Sequence, residues 1–257
     1  MHLLFSTLRL FPIFSEFTPE EKNSLLRNGR LRNLKRGQTL FSQGDSITSF
    51  YLIFKGSMQI FRETPDGHEL TSEILIPGEM ICGDIITLVQ KYHRTNARAI
   101  DNVAILEIPV RWILAHANAG FALKIISVIA ARMHEAQVEA EHLSTMSAAQ
   151  IVECFLQKII VQYNFDPKGF NLPYSKTLIA SRLHMELATF SRALKKLKNK
   201  GVLVKGAHIS FTNIHKASHY ACESCSISED CSAYKYFNKK THEVAHDSPI
   251  PNISHSN

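Results

Sequence analysis

Three of the five cysteines stand close together near the end of the chain, as Cys222-Glu-Ser-Cys225 and, six residues later, Cys231. Thiolates at this spacing are typical ligands of zinc or of an iron–sulfur cluster. The residues alone leave two alternatives open, simple thiol redox chemistry and no chemical role. The odd total and the uneven placement do not fit the disulfide framework of a secreted protein.

A second group of chemically useful side chains lies at helical spacing between residues 175 and 201. The apolar residues there predict two short helices around a break at His184-Met185-Glu186, and Gly201 is expected to end the second helix. The stripe that should face inward consists of Ile179, Ala180, Leu183, Leu187, Phe190, Leu194 and Leu197.

The opposite face of these two helices carries hydroxyl, guanidinium and ammonium groups. On a helix that enters the major groove, Ser and Arg reach base edges and Lys contacts phosphates. We therefore predict a helix-turn-helix, followed by a two-stranded wing over 202–204 and 209–211. The predicted DNA-binding residues are Ser175, Lys176, Thr189, Ser191, Arg192, Lys195, Lys196 and Lys198.

Positive charge is concentrated on the same module. From Ser175 to Lys216 there are nine Lys and Arg residues and one acid, Glu186, which gives a local net charge of +8. The whole chain has a formal net charge of +6, so the remainder carries −2. Basicity on one helical module is typical of phosphate binding. The alternative is an ordinary amphipathic helix pair whose lysines serve solubility.

The bulk composition narrows the class of protein. With 257 residues, 45% of them hydrophobic and 20% charged, the chain is expected to form two modest globular domains. No apolar run reaches the roughly 18 residues of a membrane span. The apolar start, MHLLFSTLRLFPIF, lacks a basic region and a small-residue cleavage site, so we predict no signal peptide. We expect a cytoplasmic protein with no membrane partner.

The stretch 37–108 has short β-branched and aromatic runs that are separated by glycines. Turn residues, most of them at intervals of 7 to 12, predict a small antiparallel barrel or jelly roll. The runs 50–54 and 58–61 are predicted to form a hairpin across Gly56, and Pro65-Asp66-Gly67 is predicted to close the next hairpin.

A long helical segment is predicted to begin at Pro109. Within it, apolar residues alternate at spacings of 3 and 4, which is the pattern of a coiled-coil seam. We predict a parallel homodimer, which would place two recognition helices one DNA turn apart on a palindromic operator. The alternative is a helix packed on its own barrel. The seam consists of Ala119, Ala122, Ile126, Ile129, Met133, Ala136, Ala140 and Leu143.

The expected fold class is α+β, with four segments in order. Residues 1–108 form a β-roll sensor domain, residues 109–145 a dimerisation helix, and residues 146–220 a winged helix-turn-helix domain. Residues 221–257 form a cysteine-containing tail, and its polar end, 242–257, is expected to be disordered.

This order of elements resembles the Crp/Fnr family of bacterial transcription regulators over about residues 8 to 220. The matching stretches are FSQGDSITSFYLIFKGSMQIFRETPDGHE, RMHEAQVEAEHLS and LPYSKTLIASRLHMELATFSRALKKLKNKGVL. The chain looks nearest to the Dnr/NnrR-like branch, which answers to nitrogen oxides. The resemblance implies a homodimer that binds DNA sequence-specifically and acts on RNA polymerase.

The family resemblance also assigns base contacts. It implies that Ser191 and Arg192 contact base edges, with Arg192 a bidentate donor to guanine. Many members carry a Glu three residues before that Ser, whereas this chain has Ala188, which puts the usual half-site in doubt.

The resemblance implies two different effector sites. The cyclic-nucleotide receptors of the family bind ribose with Gly-Glu and phosphate with Arg-Ser, and this chain has Gly83-Asp84 and Arg94-Thr95 at those places. The Fnr of bacilli instead resembles this chain in its C-terminal cysteines, which imply an iron–sulfur cluster held by Cys222, Cys225 and Cys231. A fourth ligand would come from Cys82, Cys154, Glu135 or Glu139.

Haem, zinc and the absence of any cofactor remain alternatives. Haem would follow from the Dnr-like branch, with axial ligands among His2, His93, His116, His134 and His142. No nucleophile–base pair, P-loop or HExxH motif is present, so we do not expect an enzyme. The competing function is a nucleotide-binding regulatory module whose output is not DNA.

Overall fold

The computed structural model describes residues 8–81, 91–116, 118–212 and 220–246, with the backbone alone for 240–246. The chain forms two compact units, Met1–His134 and Glu135–Asn257, and the boundary between them lies inside one long helix. In the described part of the chain, no helix combines the length and the apolar character that a membrane span requires.

The first unit is a roll of two antiparallel sheets, which confirms the predicted jelly roll. Within the described residues each sheet has four strands, in the orders β1-β8-β3-β6 and β2-β7-β4-β5. The strands are β1 Arg30–Leu34, β2 Thr39–Phe41, β3 Ser49–Lys55, β4 Met58–Glu63, β5 Glu69–Leu75, β6 Met80–Ile81, β7 Asn96–Ala99 and β8 Val103–Pro109.

The central strand β3 is buried on both faces because a different apolar core lies on each side. Tyr51 and Ile53 point into the core between the two sheets. Phe50 and Leu52 point the other way, into a second core that is built with the N-terminal helical segments. Those segments are two short 3-10 helices, Leu8–Leu10 and Pro12–Phe14, and helix α1, Pro19–Asn28.

The predicted hairpin of β3 and β4 is wrong, because the two strands pair in different sheets. β3 pairs with β6 and β8, whereas β4 pairs with β5 and β7. Gly56 (φ +78°) carries the chain from one sheet to the other, and a Cβ there would lie 2.3 Å from Asp101 Oδ1. The other predicted hairpin, β4–β5, is confirmed, and Gly67 lies in its turn with a φ of +82°.

The helical segment predicted from Pro109 is not continuous. Pro109 ends strand β8, and two helices follow, α2 Val110–His116 and α3 Ala119–Thr145. The break follows from packing, because Trp112 of α2 is buried and donates its indole N–H to Ser24 Oγ at 3.1 Å. Phe121 of α3 then stacks against Phe14 at a ring distance of 5.9 Å.

The second unit is helical, with one small sheet. Ser147 caps α4, Ala148–Tyr163, through a reciprocal pair of bonds with Gln150. The remaining elements are β9 Phe170–Asn171, α5 Lys176–Arg182, α6 Leu187–Leu197, a 3-10 helix Lys198–Lys200, β10 Val202–Lys205, β11 His208–Phe211, a 3-10 helix Ser228–Asp230 and α7 Ser232–His246.

The expectation of disorder from residue 242 is wrong for its first part, since α7 continues to His246. Ala233 and Phe237, four residues apart, are both buried, and the Phe237 ring lies 5.8 Å from that of Phe211. This apolar anchor starts a helix that then extends into the polar sequence, because adding residues to an existing helix is easier than starting one. Residues 247–257 lie outside the described residues.

Candidate nucleic-acid interface and sulfur site

Two helices and a tight turn form the predicted helix-turn-helix. Ser175 caps α5, because its Oγ accepts a hydrogen bond from the backbone N–H of Leu178 at 3.2 Å. The break falls at His184, which takes a left-handed conformation with a φ of +52°. Gly201, also left-handed with a φ of +93°, ends the 3-10 extension of α6, as predicted.

Helix α6 has one buried face and one basic face. Phe190, Ala193, Leu194 and Leu197 are buried. Leu187 was predicted to lie in the same stripe and is 43% exposed. Leu187 is exposed because it is the first residue of the helix. Phe190, one turn later, fills the core.

The outward face of the module holds the predicted DNA-binding side chains. Arg192 is exposed, and its Nη2 donates to Thr189 Oγ1 at 3.1 Å, which holds the guanidinium along the helix surface. Ser191 lies beside it and is half-buried. The other exposed members of the predicted set are Ser175, Lys195, Lys196 and Lys198, and Lys176 and Thr189 are half-buried.

Two of the nine basic residues counted in this segment make contacts inside the protein. Arg182 forms a two-bond ion pair with Glu139, one bond of which measures 3.1 Å. Lys200 Nζ lies 4.2 Å above the ring of Tyr220. The sequence count therefore overstated the charge available to phosphates. It also follows that Glu139, a predicted fourth metal ligand, already has a cationic partner.

The predicted wing is confirmed and has a third strand. β10 and β11 pair antiparallel, from Val202 opposite Phe211 to Lys205 opposite His208. β9 adds to the outer edge of β11 through Phe170 and Asn171. Sequence reading missed β9 because a two-residue strand has no detectable alternation.

The three C-terminal cysteines lie in a segment that is bound to α3 and α4 by contacts that involve no sulfur. Glu141 accepts two bonds from Ser226, one from its backbone N–H at 2.9 Å and one from its hydroxyl at 2.6 Å. Gln150 Nε2 donates to the carbonyl oxygen of Tyr220 at 3.3 Å. These contacts hold the segment at several points without a ligand.

The thiols themselves form a local group. Burial is the main cause that raises the pKa of Cys222 to about 12, and Cys154, Cys225 and Cys231 also contribute. Burial likewise raises the pKa of Cys154, on α4, to about 11. Without a bound cation these thiols stay protonated at neutral pH, and thiols of that kind react slowly with oxidants.

His142 adds a nitrogen to the same group. Its Nε2 lies 3.3 Å from Cys225 Sγ, and burial lowers the pKa of the imidazole. A neutral imidazole next to a sulfur can donate a hydrogen bond to it or ligate a metal beside it.

Glu153 is a buried acid that sequence reading missed. Its side chain is fully buried, and neither carboxyl oxygen has a hydrogen-bond partner among the described residues. Burial raises the pKa of Glu153 to about 8. It precedes Cys154 on α4 and is close enough to Cys222 to affect its pKa. In sequence it looked like one more polar residue of an amphipathic helix, so no signal marked it.

The side chains of this region suit a thiophilic metal in their chemistry, because thiols and an imidazole such as that of His142, 3.3 Å from Cys225 Sγ, are ligands of zinc and iron. Over the described ranges, however, no three such side chains are already arranged as ligands around one point.

The predicted effector pocket in the roll is described only in part. Arg94 is exposed and Thr95 is half-buried, just before β7, whereas Gly83 and Asp84 lie outside the described residues. A different arginine, Arg98, points along the sheet and is held by protein groups. It donates to Glu69 Oε1 and to Gln59 Oε1, each at 2.8 Å.

Three of the histidines named as haem ligands, His93, His116 and His142, have other contacts in the structure. His93 is buried and stacks on Phe41 at 3.6 Å between ring centroids. His116 stacks on Trp112 at 4.2 Å. His134 is exposed, and His2 lies outside the described residues.

A jelly roll followed in the chain by a winged helix-turn-helix with a basic outer face defines a DNA-binding protein. Comparisons with known proteins agree with this class. Residues 31–115 match the model of the cyclic nucleotide-binding domain, and residues 142–216 match the Crp-like helix-turn-helix domain.

Relatives narrow the class further. The chain is 26% identical over 192 residues to the anaerobic regulatory protein of Haemophilus influenzae, covering 72% of this chain and 74% of that one. It is 25% identical over 190 residues to the fumarate and nitrate reduction regulatory protein of Escherichia coli K12, covering 72% and 75%. The solved structure of FixK2 from Bradyrhizobium japonicum shares the fold, with a TM-score of 0.65 at 19% identity, and covers 75% of this chain and 96% of that one. The chain belongs to the Crp/Fnr family of DNA-binding transcription regulators.

Proposed function

We propose that this regulator acts as a cytoplasmic homodimer on a palindromic operator and contacts RNA polymerase there, without enzymatic activity. The observation that carries the proposal is the basic, outward face of α6, where Arg192 and Ser191 stand next to each other on a helix whose other face is fully packed. Such a helix can enter the major groove without loss of core packing.

The base contacts are assigned to the N-terminal half of α6. Arg192 is the donor to a guanine, and its bond to Thr189 holds the guanidinium on the exposed surface of α6. Ala188 is exposed one turn earlier and offers a methyl group alone, so the half-site differs from that of members with Glu there. Lys195, Lys196 and Lys198 contact phosphates and fix the register.

The homodimer is supported by the surface of α3. All eight predicted seam residues are exposed, including Ile126 at 58% and Met133 at 59%. The buried residues of the same helix, such as Phe121 and Val138, are not in the seam. A long stripe of exposed apolar side chains marks a protein–protein interface.

The effector is proposed to act at the sulfur group of Cys222, Cys225 and Cys231. The cysteine segment is bound to α3 through Glu141 and to α4 through Gln150, and α4 packs against α6. An iron–sulfur cluster would supply a redox-labile centre at this position. A change there would be passed to the recognition helix through α4, and two curated relatives are named as regulators of anaerobic metabolism or reduction.

A second candidate effector is a cyclic nucleotide, because residues 31–115 match the cyclic nucleotide-binding domain. It would bind at Gly83-Asp84 and Arg94-Thr95. Equilibrium dialysis with labelled cyclic AMP and cyclic GMP tests it, and binding that is lost in Arg94→Ala would support it. If the nucleotide binds, the same protein is then tested for DNA. Nucleotide binding that does not change with salt, together with no DNA binding, would favour the regulatory module whose output is not DNA.

The test of the proposed function is selection of duplexes from a random pool by full-length protein that is purified without oxygen. We expect enrichment of a palindrome whose half-sites lie about 10 bp apart. Bound DNA with no enriched sequence, or no retained DNA at all at low salt, would contradict the proposal. Ile126→Asp on the seam is the matched control, because it should abolish selection of both half-sites together and leave the fold intact.

A further inference from the structure

Arg182, the last residue of α5, is a basic residue of the helix-turn-helix whose charge is used inside the protein. Its guanidinium donates two hydrogen bonds to the carboxylate of Glu139 on α3, from Nη1 to Oε2 at 3.1 Å and from Nη2 to Oε1 at 2.5 Å. An arginine fork that is bonded at two points to a carboxylate fixes direction as well as distance. The pair therefore holds α5 at one defined place on α3.

Both side chains of this pair are partly shielded from water. The Arg182 side chain is 20% exposed and that of Glu139 is 35% exposed. Water and salt screen the attraction between exposed charges, so a pair of this kind contributes little to the stability of the fold. Its two-bond geometry is what it adds, and it therefore matters chiefly for the orientation of α5.

A covalent joint connects the same two parts of the chain. Helix α3 ends at Thr145 and α4 begins at Ala148, so the connection is only two residues long. α4 packs against α6 and so carries the helix-turn-helix. A body that is attached to a helix at one joint can swing about that joint. Attachment at a second point, here the bonds between Arg182 and Glu139, removes this freedom.

Glu139 lies directly beside the predicted dimer seam of α3. The seam residues Ala136, Ala140 and Leu143 stand on the same part of the helix, and all three are exposed. In the heptad pattern that they follow, Glu139 takes the position next to the seam from which charged side chains of a coiled coil commonly pair with the partner helix. Glu139 is bonded to Arg182 of its own chain instead, which brings α5 to the edge of the seam.

We propose that the Glu139–Arg182 pair fixes the angle between the helix-turn-helix and the dimer helix, and thereby sets the spacing of the two half-sites. The inference rests on the proposed function, because it needs a homodimer on a palindrome. Neither residue contacts a base, and both act by positioning α6. In a twofold dimer, an angular change at one recognition helix is repeated at the other.

The geometry of DNA makes this angle measurable. Insertion or removal of one base pair between the half-sites changes their separation by about 3.4 Å and rotates one against the other by about 35°. A helix-turn-helix that is held at two points does not follow such a change. One that swings about the joint between α3 and α4 follows it at little cost.

The decisive experiment measures affinity for operators whose central spacer is changed by one base pair. Full-length protein is titrated by fluorescence anisotropy, at one salt concentration, against the selected palindrome and against versions one base pair longer and shorter. For the wild type we expect both altered operators to bind at least ~10-fold more weakly, within the usual range of coupling between sites. In Glu139→Gln, which keeps the shape of the side chain and loses its charge, this spacer penalty should fall to about 3-fold or less.

Glu141→Gln is the matched control. Glu141 is an acid of the same helix, two positions further on, and it accepts its bonds from Ser226 of the cysteine segment. Residues two apart do not share a helix face, so its loss should leave the place of α5 and the spacer penalty unchanged. An equal fall of the penalty in Glu139→Gln and Glu141→Gln would overturn the proposal.

The arginine separates positioning from phosphate contact. Arg182→Gln should lower the spacer penalty as Glu139→Gln does, while affinity for random duplex and its dependence on salt stay at wild-type values. Loss of a residue that contacts a phosphate weakens binding to all duplexes and reduces the salt slope by about 1. That result for Arg182→Gln would make it a phosphate contact and contradict its positioning role.

The double variant tests whether the two residues act as one unit. Glu139→Gln combined with Arg182→Gln should lower the spacer penalty no further than either change alone. Effects that add would show two independent roles and overturn the proposal. Either single variant suffices if the other does not fold, as judged by circular dichroism.

Sedimentation equilibrium tests the alternative partner of Glu139. The Glu139→Gln protein should remain a dimer, because its carboxylate is bonded within its own chain. Dissociation into monomers would place the partner of Glu139 on the other chain and contradict the inference.

The wild type alone separates this inference from the function on which it rests. Wild-type protein that selects no palindrome would contradict the proposed function. Wild-type protein that selects a palindrome but tolerates a changed spacer, or a Glu139→Gln variant that is as strict as the wild type, would overturn only the inference about spacing.

Discussion

A buried polar side chain of the roll, Gln59, is hydrogen-bonded, whereas a buried one of the DNA-binding unit, Glu153, is not. In the roll, Arg98 is held by Glu69 and Gln59, and Gln59 in turn donates to the buried hydroxyl of Thr71 at 2.9 Å. In the DNA-binding unit, neither carboxyl oxygen of the buried Glu153 has a hydrogen-bond partner among the described residues. A polar network in which every group is hydrogen-bonded is stable without a ligand. A buried polar group without a hydrogen bond is stabilised when a ligand binds to it. The comparison supports the proposal that the effector acts at the sulfur group.

Metal removal should have the largest effect on this comparison. With free metal at about 1,000 times its Kd, binding to the native state alone stabilises the protein by about 4 kcal/mol. We expect that gain in the DNA-binding unit and none in the roll. Hydrogen exchange with and without chelator measures both units in one sample. Equal loss of protection in β3 and in α4 would show that the two regions do not differ in the way described.

The next effect is the pH dependence caused by Glu153. Burial raises its folded-state pKa to about 8, from an ordinary value of 4.5. Between these values the folded protein holds the proton and the unfolded chain has released it, so the free energy of unfolding falls as pH rises. The loss is about 3 kcal/mol between pH 5 and 7.5, at about 1.4 kcal/mol per pH unit.

Urea unfolding of metal-free protein at several pH values measures this slope. In Glu153→Gln the slope should disappear, because the amide does not titrate over that range. An unchanged slope in the variant would mean that Glu153 is not the group responsible.

Arg192 should show a smaller effect, on DNA binding. Arg192→Ala is expected to cost about 1–3 kcal/mol on the selected operator and to relax the preference at one base pair. Lys198→Ala should weaken specific and random duplexes alike and reduce the salt slope by about 1. Fluorescence anisotropy with both duplexes separates the two roles. If Arg192→Ala lost affinity equally on both, it would not read a base.

The smallest effect should come from the satisfied network in the roll. Arg98→Gln leaves Glu69 without its main donor and should destabilise the protein by about 1–2 kcal/mol, since both side chains are partly exposed. Metal content and operator affinity should stay at wild-type values. A large change in either would show that the roll contributes to the effector site.

Local patterns in the sequence predicted most of the helices and strands, but they did not predict which of these elements pair or pack together. The spacing of Phe190, Leu194 and Leu197 marked the recognition helix, and glycines marked the turns of the roll. The pairing of β3 was predicted wrongly, because the sequence of a strand that is buried on both faces does not indicate which strand it pairs with. The break at α2 depends on the packing of Trp112, which periodicity does not report.

The same limit applies to the sites. Most of the predicted DNA-binding residues, Thr189, Ser191, Arg192, Lys195 and Lys196, share helix α6, so their spacing alone indicates a common surface. The convergence of Cys154 with Cys222 joins positions from α4 and from the C-terminal segment, and no local signal connects them. Glu153 was missed for the same reason, since its burial is created by elements that are distant in sequence.

The most direct test of the account is the affinity of full-length protein for its selected operator before and after the metal is removed. Both states are prepared without oxygen and measured at one salt concentration, because binding to DNA depends on salt. The account predicts at least a ~10-fold difference, a coupling free energy of about 1.4 kcal/mol, that disappears in Cys225→Ala. Equal affinity in the two states of the wild type would contradict it.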